Sequence, residues 1–317
     1  MPTGYIHPLT KTPLVRDDAG NLCDLNKNSV VFHSTDGTTY DFVSAGTSKE
    51  ERQFFDRAYK AAFTRPISIK MCEELWSREP GFGELLESLG DVSGKRILLL
   101  GNGVSLKEFY FLKLGGICVW TDLSIQAIRH IKEKFAQSEF YQADLQDVEF
   151  HAVDACHLPF ANETFDVIYG CAFVHHIEDL EGLFAEVARC LKPGGICRFL
   201  DHAYSPLWQF LKKTMLKPLQ LYTHRKHGIS PADEIATERG GYARSEIERI
   251  KEKFNFKEML FLKVGFLEQL LQRGTCKLGG RFLRRFKPAL RVIDRFLDKT
   301  TGLVRKHGIV LVWGFTK

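Results

Sequence analysis

The chain has 317 residues, 44% hydrophobic and 26% charged, which excludes a disordered polymer and allows one large α/β domain with additions, or two domains. No run of about 18 apolar residues occurs and the N-terminus lacks an apolar signal core, so neither a transmembrane helix nor a secretory signal is expected. The net charge of +5 is uneven: residues 271–317 hold 12 Lys/Arg against 2 Asp/Glu, so the basic surplus sits at the C-terminal end.

The eight cysteines are scattered with no C-x-x-C pair, which suits a reducing cytosol rather than a disulfide framework. Residues 1–46 alternate short apolar pieces (Val30-Val31-Phe32, Tyr40 to Val43) with Asp-Gly turns and read as a small β module. Residues 47–92 read as a helical cap or linker, with Phe54, Phe55, Ala58, Tyr59, Ala62 and Phe63 at helical spacing. From about residue 93 the period changes. Arg96–Leu100 is an apolar strand entering the turn Gly101-Asn102-Gly103. Gly116–Trp120 is a second strand ending at Asp122, Phe150–Val153 a third ending at Asp154, and Phe165–Tyr169 a fourth. Leu180–Leu191 reads as a helix closed by Lys192-Pro193-Gly194-Gly195, before a fifth strand, Ile196–Leu200, ending at Asp201. Phe256–Val264 and Gly308–Phe315 read as the sixth and seventh strands. The expected fold is α/β: a Rossmann-like, seven-stranded, mostly parallel sheet with helices on both faces. The N-terminal β module and helical insertions at 203–244 and 265–306, over the substrate mouth, are added to this 93–317 domain.

Gly101 and Gly103 let a ligand approach the backbone, and Asp122, 21 positions after Gly101, can accept from ribose hydroxyls. That pattern alone is weak. It is joined by Asp154-Ala-Cys-His-Leu-Pro-Phe160, Phe165-Asp166-Val-Ile-Tyr169 and Leu191-Lys-Pro-Gly-Gly195, in order. Together these motifs resemble the class I S-adenosylmethionine-dependent methyltransferases, especially the branch that includes quinone-biosynthesis methyltransferases, over about residues 93–201. The resemblance implies S-adenosylmethionine as cofactor and S-adenosylhomocysteine as product. It assigns the methionine and ribose end to Gly101, Asn102 and Gly103, and the ribose hydroxyls to Asp122 with Leu123 on the adenine. Asp154, beside Ala155, would take the adenine amino group, and Cys171 would lie near the methionine. Two positions depart from the pattern. Leu99 stands where the family usually has an acid, and Ser105 where it has a third glycine. A nicotinamide-binding G-x-G-x-x-G would need glycine at Leu106.

Residues 4–43 resemble a zinc-ribbon-like module whose cysteine pairs have become His7 and Thr10, and Cys23 and Asn26. One cysteine and one histidine do not complete a structural site, so a module that kept its fold and lost its metal is expected. Along the sequence no carboxylate/His cluster has ligand spacing, and no metal is expected elsewhere.

Both insertions are expected over the substrate. The first holds Tyr204, Trp208, Tyr222, His224, His227 and Tyr242, which suits an apolar or ring-bearing acceptor. The second is basic and amphipathic, with Phe282, Phe286, Ala289, Ile293 and Phe296 on one face and Arg281, Arg284, Arg285, Lys287, Arg291 and Arg295 supplying charge. Pro288 is expected to divide it into two short helices. Three readings stay open for this segment: a solvated face, a peripheral membrane contact through 281–297, or a clamp for an anionic substrate. No nucleic-acid partner is expected.

Methyl transfer to oxygen or carbon often needs a base near neutral pKa. His202, His175 and His176 are the candidates, with Asp201 able to orient one of them. The expectation is a cytoplasmic enzyme methylating a small lipophilic or aromatic intermediate. Two alternatives are a non-methylating reaction on the same fold, and a non-catalytic membrane-associated binding protein.

Overall fold

The structure is a computed structural model that describes residues 2–24, 30–34, 36–43, 49–58, 68–78, 80–142, 148–211, 241–267 and 287–317. Tyr222, His224, His227, Asn26, Tyr59, Ala62, Phe63 and residues 281–286 of the expected basic helix lie outside the described residues.

The apolar runs become one seven-stranded sheet: β5 (Arg96–Leu100), β6 (Ile117–Asp122), β7 (Val148–Ala152), β8 (Phe165–Cys171), β9 (Leu191–His202), β10 (Glu258–Val264) and β11 (Val310–Thr316). Their order is β10-β11-β9-β8-β5-β6-β7, with β11 antiparallel to both neighbours. The β5–β6, β6–β7, β5–β8 and β8–β9 pairs are parallel. Strand side chains alternate between two cores, one per face. Leu98, Leu100, Val119 and Ile168 belong to one; Ile97, Leu99, Trp120 and Tyr169 belong to the other. This burial on both faces is why the strands read as unbroken apolar runs.

Helices α1 (Lys49–Ala58), α2 (Ile69–Arg78) and α3 (Phe82–Leu89) precede β5. After the glycine turn come a 3₁₀ turn at Lys107–Phe109 and α4 (Tyr110–Lys113). The crossover α5 (Ile125–Ala136) is capped by Ser124, whose Oγ accepts from Ala127 N–H at 3.1 Å. Helix α6 (Leu180–Cys190) is capped by Asp179, accepting from Gly182 N–H at 2.9 Å. Helices α7 (Pro206–Leu211), α8 (Arg244–Lys253), α9 (Lys287–Thr301) and α10 (Leu303–His307) complete the described elements.

One expectation changes. Strand β9 begins at Leu191, not Ile196: Leu191 pairs with Phe165 of β8, the Lys-Pro-Gly-Gly segment bulges with Gly194 at φ 77°, and the chain's end pairs with it, Gly194 N–H donating to Lys317 C=O and Lys317 N–H to Gly195 C=O. Pro288 lies in the first turn of α9, where its missing N–H would have no helical partner; residues 281–286, the other half of the expected pair of helices, lie outside the described residues.

The N-terminal module is an antiparallel sheet of β1 (Pro2–Ile6), β2 (Pro13–Arg16), β3 (Leu22–Asp24) and β4 (Val30–Phe32). It covers the exposed edge of β7, which would otherwise offer unpaired backbone. Phe42 N–H donates to Ala152 C=O (2.8 Å) and Ala152 N–H to Tyr40 C=O (2.9 Å). Ile6 N–H donates to Pro159 C=O and Ala161 N–H to Gly4 C=O. Tyr5, Leu14, Leu22, Tyr40 and Phe42 share one core with Phe160 and Phe165.

A polar network crosses this junction. Tyr5 Oη lies 2.9 Å from His151 Nε2 and donates to Glu149 Oε2 at 2.5 Å, while Arg96 Nη2 donates to Glu149 Oε1 at 2.6 Å. Burial alone would raise the Glu149 carboxyl, but the His151 hydrogen bond and the Arg96 charge hold it down to about 2. Burial lowers the His151 pKa. Tyr5→Phe removes the hydroxyl that donates to the Glu149 carboxylate and meets His151 Nε2, and we expect a loss of about 1.5–3 kcal/mol, read as a lower urea midpoint with unchanged slope.

Candidate active site

Strand order reverses on either side of β5, so the crevice beyond its carboxyl end is where an open α/β sheet takes a ligand. A cavity of about 330 Å³ opens there, within the range of small-molecule sites. Gly101, Thr121, Asp122 and Leu123 form its floor, from the ends of β5 and β6. Val153, Asp154, Ala155, Cys156 and His157 come from the loop after β7. Ala172, Phe173, His176 and Ile177 come from the loop after β8, and Phe55 of α1 reaches in beside them. The expected helical cap thus contributes Phe55, whose ring stands edge-on to His176 at 5.9 Å.

Gly101 adopts φ 58°, and a Cβ there would meet the Phe173 ring at 2.0 Å. Only glycine allows that aromatic wall to close on the turn. Asp122 is buried. Its Oδ2 accepts from Gly103 N–H (2.7 Å) and its Oδ1 from Ser124 N–H (2.9 Å). Burial pushes its carboxyl up to about 6, against those two bonds. Asp154 Oδ1 accepts from Cys156 N–H (2.9 Å), and its Oδ2 lies 3.2 Å from His157 Nδ1, which ties the loop into a turn.

Of the expected cofactor residues, Gly101, Asp122, Leu123, Asp154 and Ala155 line this one cavity. Gly103 acts through its N–H on Asp122, and Asn102 spans the turn, with Nδ2 donating to Ser105 C=O at 3.2 Å. Cys171 is half-buried and is not among the residues that line the cavity. Phe173, Thr121 and Ile177 carried no signal in the sequence beyond their place at strand ends.

The candidate bases converge. His175 Nδ1 is hydrogen-bonded to Asp201 Oδ1, and Asp201 Oδ2 accepts from Val174 N–H at 3.3 Å. The His175 ring lies 4.1 Å from that of His176 and 5.0 Å from that of His202. A carboxylate on Nδ1 holds the proton there and leaves Nε2 as a proton acceptor. His175, Asp201 and His202 also bring one ligand atom each within 4.8 Å of one another, a set that could hold a metal ion. The sequence spacing excluded such a cluster; the ends of two neighbouring strands, 26 residues apart, create it.

In the N-terminal module His7 Nδ1 accepts from Leu9 and Thr10 N–H, each at 3.2 Å, and so caps a turn. Cys23 is a free thiol whose Sγ lies 4.0 Å from Asp17.

Residues 98–199 match the family described as "Methyltransferase domain". Those residues, about a third of the chain, are similar to that family. The chain is 32% identical over 124 residues to phosphoethanolamine N-methyltransferase 1 of Zea mays, covering 39% of this chain and 24% of the maize protein. It is 34% identical over 80 residues to the ubiquinone/menaquinone biosynthesis C-methyltransferase of Desulfotalea psychrophila, covering 25% of this chain and 29% of that protein. The chain spans about a quarter of the length of the maize relative it matches. The fold is shared with Haemonchus contortus phosphoethanolamine N-methyltransferase 2, solved with phosphomonomethylethanolamine and S-adenosylhomocysteine. That likeness has a TM-score of 0.51 at 18% identity, over 84% of this chain and 59% of the other.

A second cavity, about 580 Å³, lies between α2, α3, β10 and α9, lined by Trp76, Gly81, Val264 and Arg291 among others. It holds neither the glycine turn nor the strand-end acids, so the smaller cavity at the strand ends is the candidate site.

Proposed function

We propose that this chain is an S-adenosylmethionine-dependent methyltransferase acting on the oxygen or carbon of a small acceptor. The observation that carries the reading is the buried Asp122 carboxylate at the end of β6, facing a cavity floored by Gly101 and walled by Asp154 and Ala155. Those residues fit the cofactor. Asp122 would accept from the ribose hydroxyls, Leu123 would pack on the adenine, and Asp154 would take the adenine amino group. The cofactor, when bound, supplies an electrophilic methyl group on sulfonium, so the protein's task is mainly alignment. Phe55, Phe173 and Ile177 exclude water from the reacting end. His175 Nε2, with Nδ1 fixed by Asp201, takes the proton that a hydroxyl or ring-carbon nucleophile gives up. The test is transfer of labelled methyl to a panel of hydroxy-aromatic, quinol-type and phosphoamine acceptors. Stoichiometric S-adenosylhomocysteine is expected. Release without a methylated product would favour a non-methylating reaction.

The N-terminal module, read as a ribbon that lost its metal, braces the loop after β7 that would hold the adenine.

A membrane contact for the same enzyme is favoured by α9. Asp294 turns inward, accepting from Phe266 and Leu267 N–H, while Val292 (65% exposed), Ile293 (45%) and Phe296 (66%) face out beside Arg295 and Lys299. Apolar side chains flanked by cations suit an anionic lipid surface. Co-sedimentation with phosphatidylglycerol-containing vesicles is expected to fall about fivefold in a Val292→Ser/Phe296→Ser variant. Equal pelleting of both proteins would dismiss this contact.

A further inference from the structure

In the parallel register of β5 and β8, Leu99 lies beside Tyr169, so the two side chains share one face of the sheet. Leu99 is fully buried and apolar, where the resemblance expects an acid. An acid nevertheless reaches this spot from another element. Glu108 stands in the 3₁₀ turn just after the glycine turn and is 1% exposed. Its Oε1 accepts from Tyr169 Oη at 3.1 Å and lies 3.3 Å from Lys107 Nζ. Its Oε2 is buried and has no hydrogen-bond partner among the described residues. Burial, then Cys171 and Glu108, drive the Tyr169 hydroxyl pKa far up.

A buried carboxylate oxygen left without a donor is costly, and such atoms recur where a ligand completes the bonding. An apolar 3₁₀ position would have packed more easily between Phe109 and Tyr169. We propose that Glu108 replaces the absent acid at position 99 and that its Oε2 accepts from the α-ammonium group of the cofactor's methionine. The carboxylate arrives from the turn after the strand rather than from the strand itself. Tyr169 and Lys107 hold one oxygen and leave the other for the ammonium, which carries three donors. This proposal rests on the cofactor reading above.

The test compares S-adenosylhomocysteine with 5′-methylthioadenosine, which keeps the adenosine and sulfur but lacks the amino-acid end. Calorimetric titration is run on the full chain and on Glu108→Gln, with a thermal melt of each. In Glu108→Gln, binding of S-adenosylhomocysteine is expected to weaken about 10- to 100-fold, and that of 5′-methylthioadenosine less than about twofold. Equal loss for both ligands would make Glu108 a structural residue and overturn the proposal. Unchanged S-adenosylhomocysteine affinity would overturn it too, while leaving the cofactor reading intact. Failure of the unsubstituted chain to bind either ligand would sink the cofactor reading itself. If Glu108→Gln does not fold, Glu108→Asp, which keeps the charge but retracts it, is expected to show the same selective loss.

Discussion

Replacing Asp122 with alanine is expected to weaken S-adenosylhomocysteine binding about a hundredfold or more at pH 7.5. A ribose offers two neighbouring hydroxyls, and a hydrogen bond to a charged acceptor contributes about 1.5–3 kcal/mol. Losing both removes at least a factor of a hundred even if water partly substitutes. The environment of Asp122 adds a pH dependence. Burial raises its carboxyl to about 6 in the free protein, so the group carries a proton in mildly acidic solution. The hydroxyls donate much more strongly to the ionised form, so ligand binding and proton loss are coupled. Affinity is expected to rise with pH from about 5 to 7 and then level, with a slope approaching tenfold per pH unit on the acid side. The alanine variant is expected to bind weakly with no such slope. Calorimetry across pH 5–8 on both proteins reads this, and a variant as tight as the parent would remove Asp122 from the cofactor site.

The second large effect concerns the proton. With S-adenosylmethionine saturating, His175→Ala is expected to slow methyl transfer by about 10²- to 10⁴-fold, the usual contribution of a positioned base. Asp201→Asn leaves the ring in place but no longer holds the Nδ1 proton, and a loss of about a hundredfold is expected. Cofactor affinity is expected to stay within about threefold for both, because neither residue lines the cofactor cavity. His202→Ala is expected to cost less than tenfold, since Asp201 fixes Nδ1 of His175 while the His202 ring meets the His175 ring edge-on at 5.0 Å. Single-turnover transfer of labelled methyl separates these cases. A larger loss from His202→Ala than from His175→Ala would reassign the base.

The floor of the candidate cavity was legible because its determinants are local. Arg96–Leu100 is buried on both faces, so it reads as one apolar run, and the glycine turn follows at once. Asp122 was found by its distance along the chain, which one turn, one short helix and one strand fix. What the sequence hid depends on pairing between distant residues. Strand β9 starts at Leu191, where it pairs with Phe165 of β8, and Gly194 and Gly195 bond Lys317, a partner more than 120 residues away. The N-terminal turns were readable, but not that Tyr40 and Phe42 bond Ala152. His175 and Asp201 were each candidates, yet only the adjacency of β8 and β9 joins them. Glu108 gave no signal at all. Acids are common in the first turn of a helix, and its meaning appears only when Tyr169 is seen beside Leu99.

The most direct test of this account is calorimetric titration of the purified chain with S-adenosylmethionine and S-adenosylhomocysteine at pH 7.5. Saturable binding of both, at one site per chain and with micromolar affinity, is the predicted result. No heat of binding at millimolar ligand would contradict it. The glycine turn, Asp122 and Glu108 would then belong to a methyltransferase fold that no longer takes its cofactor.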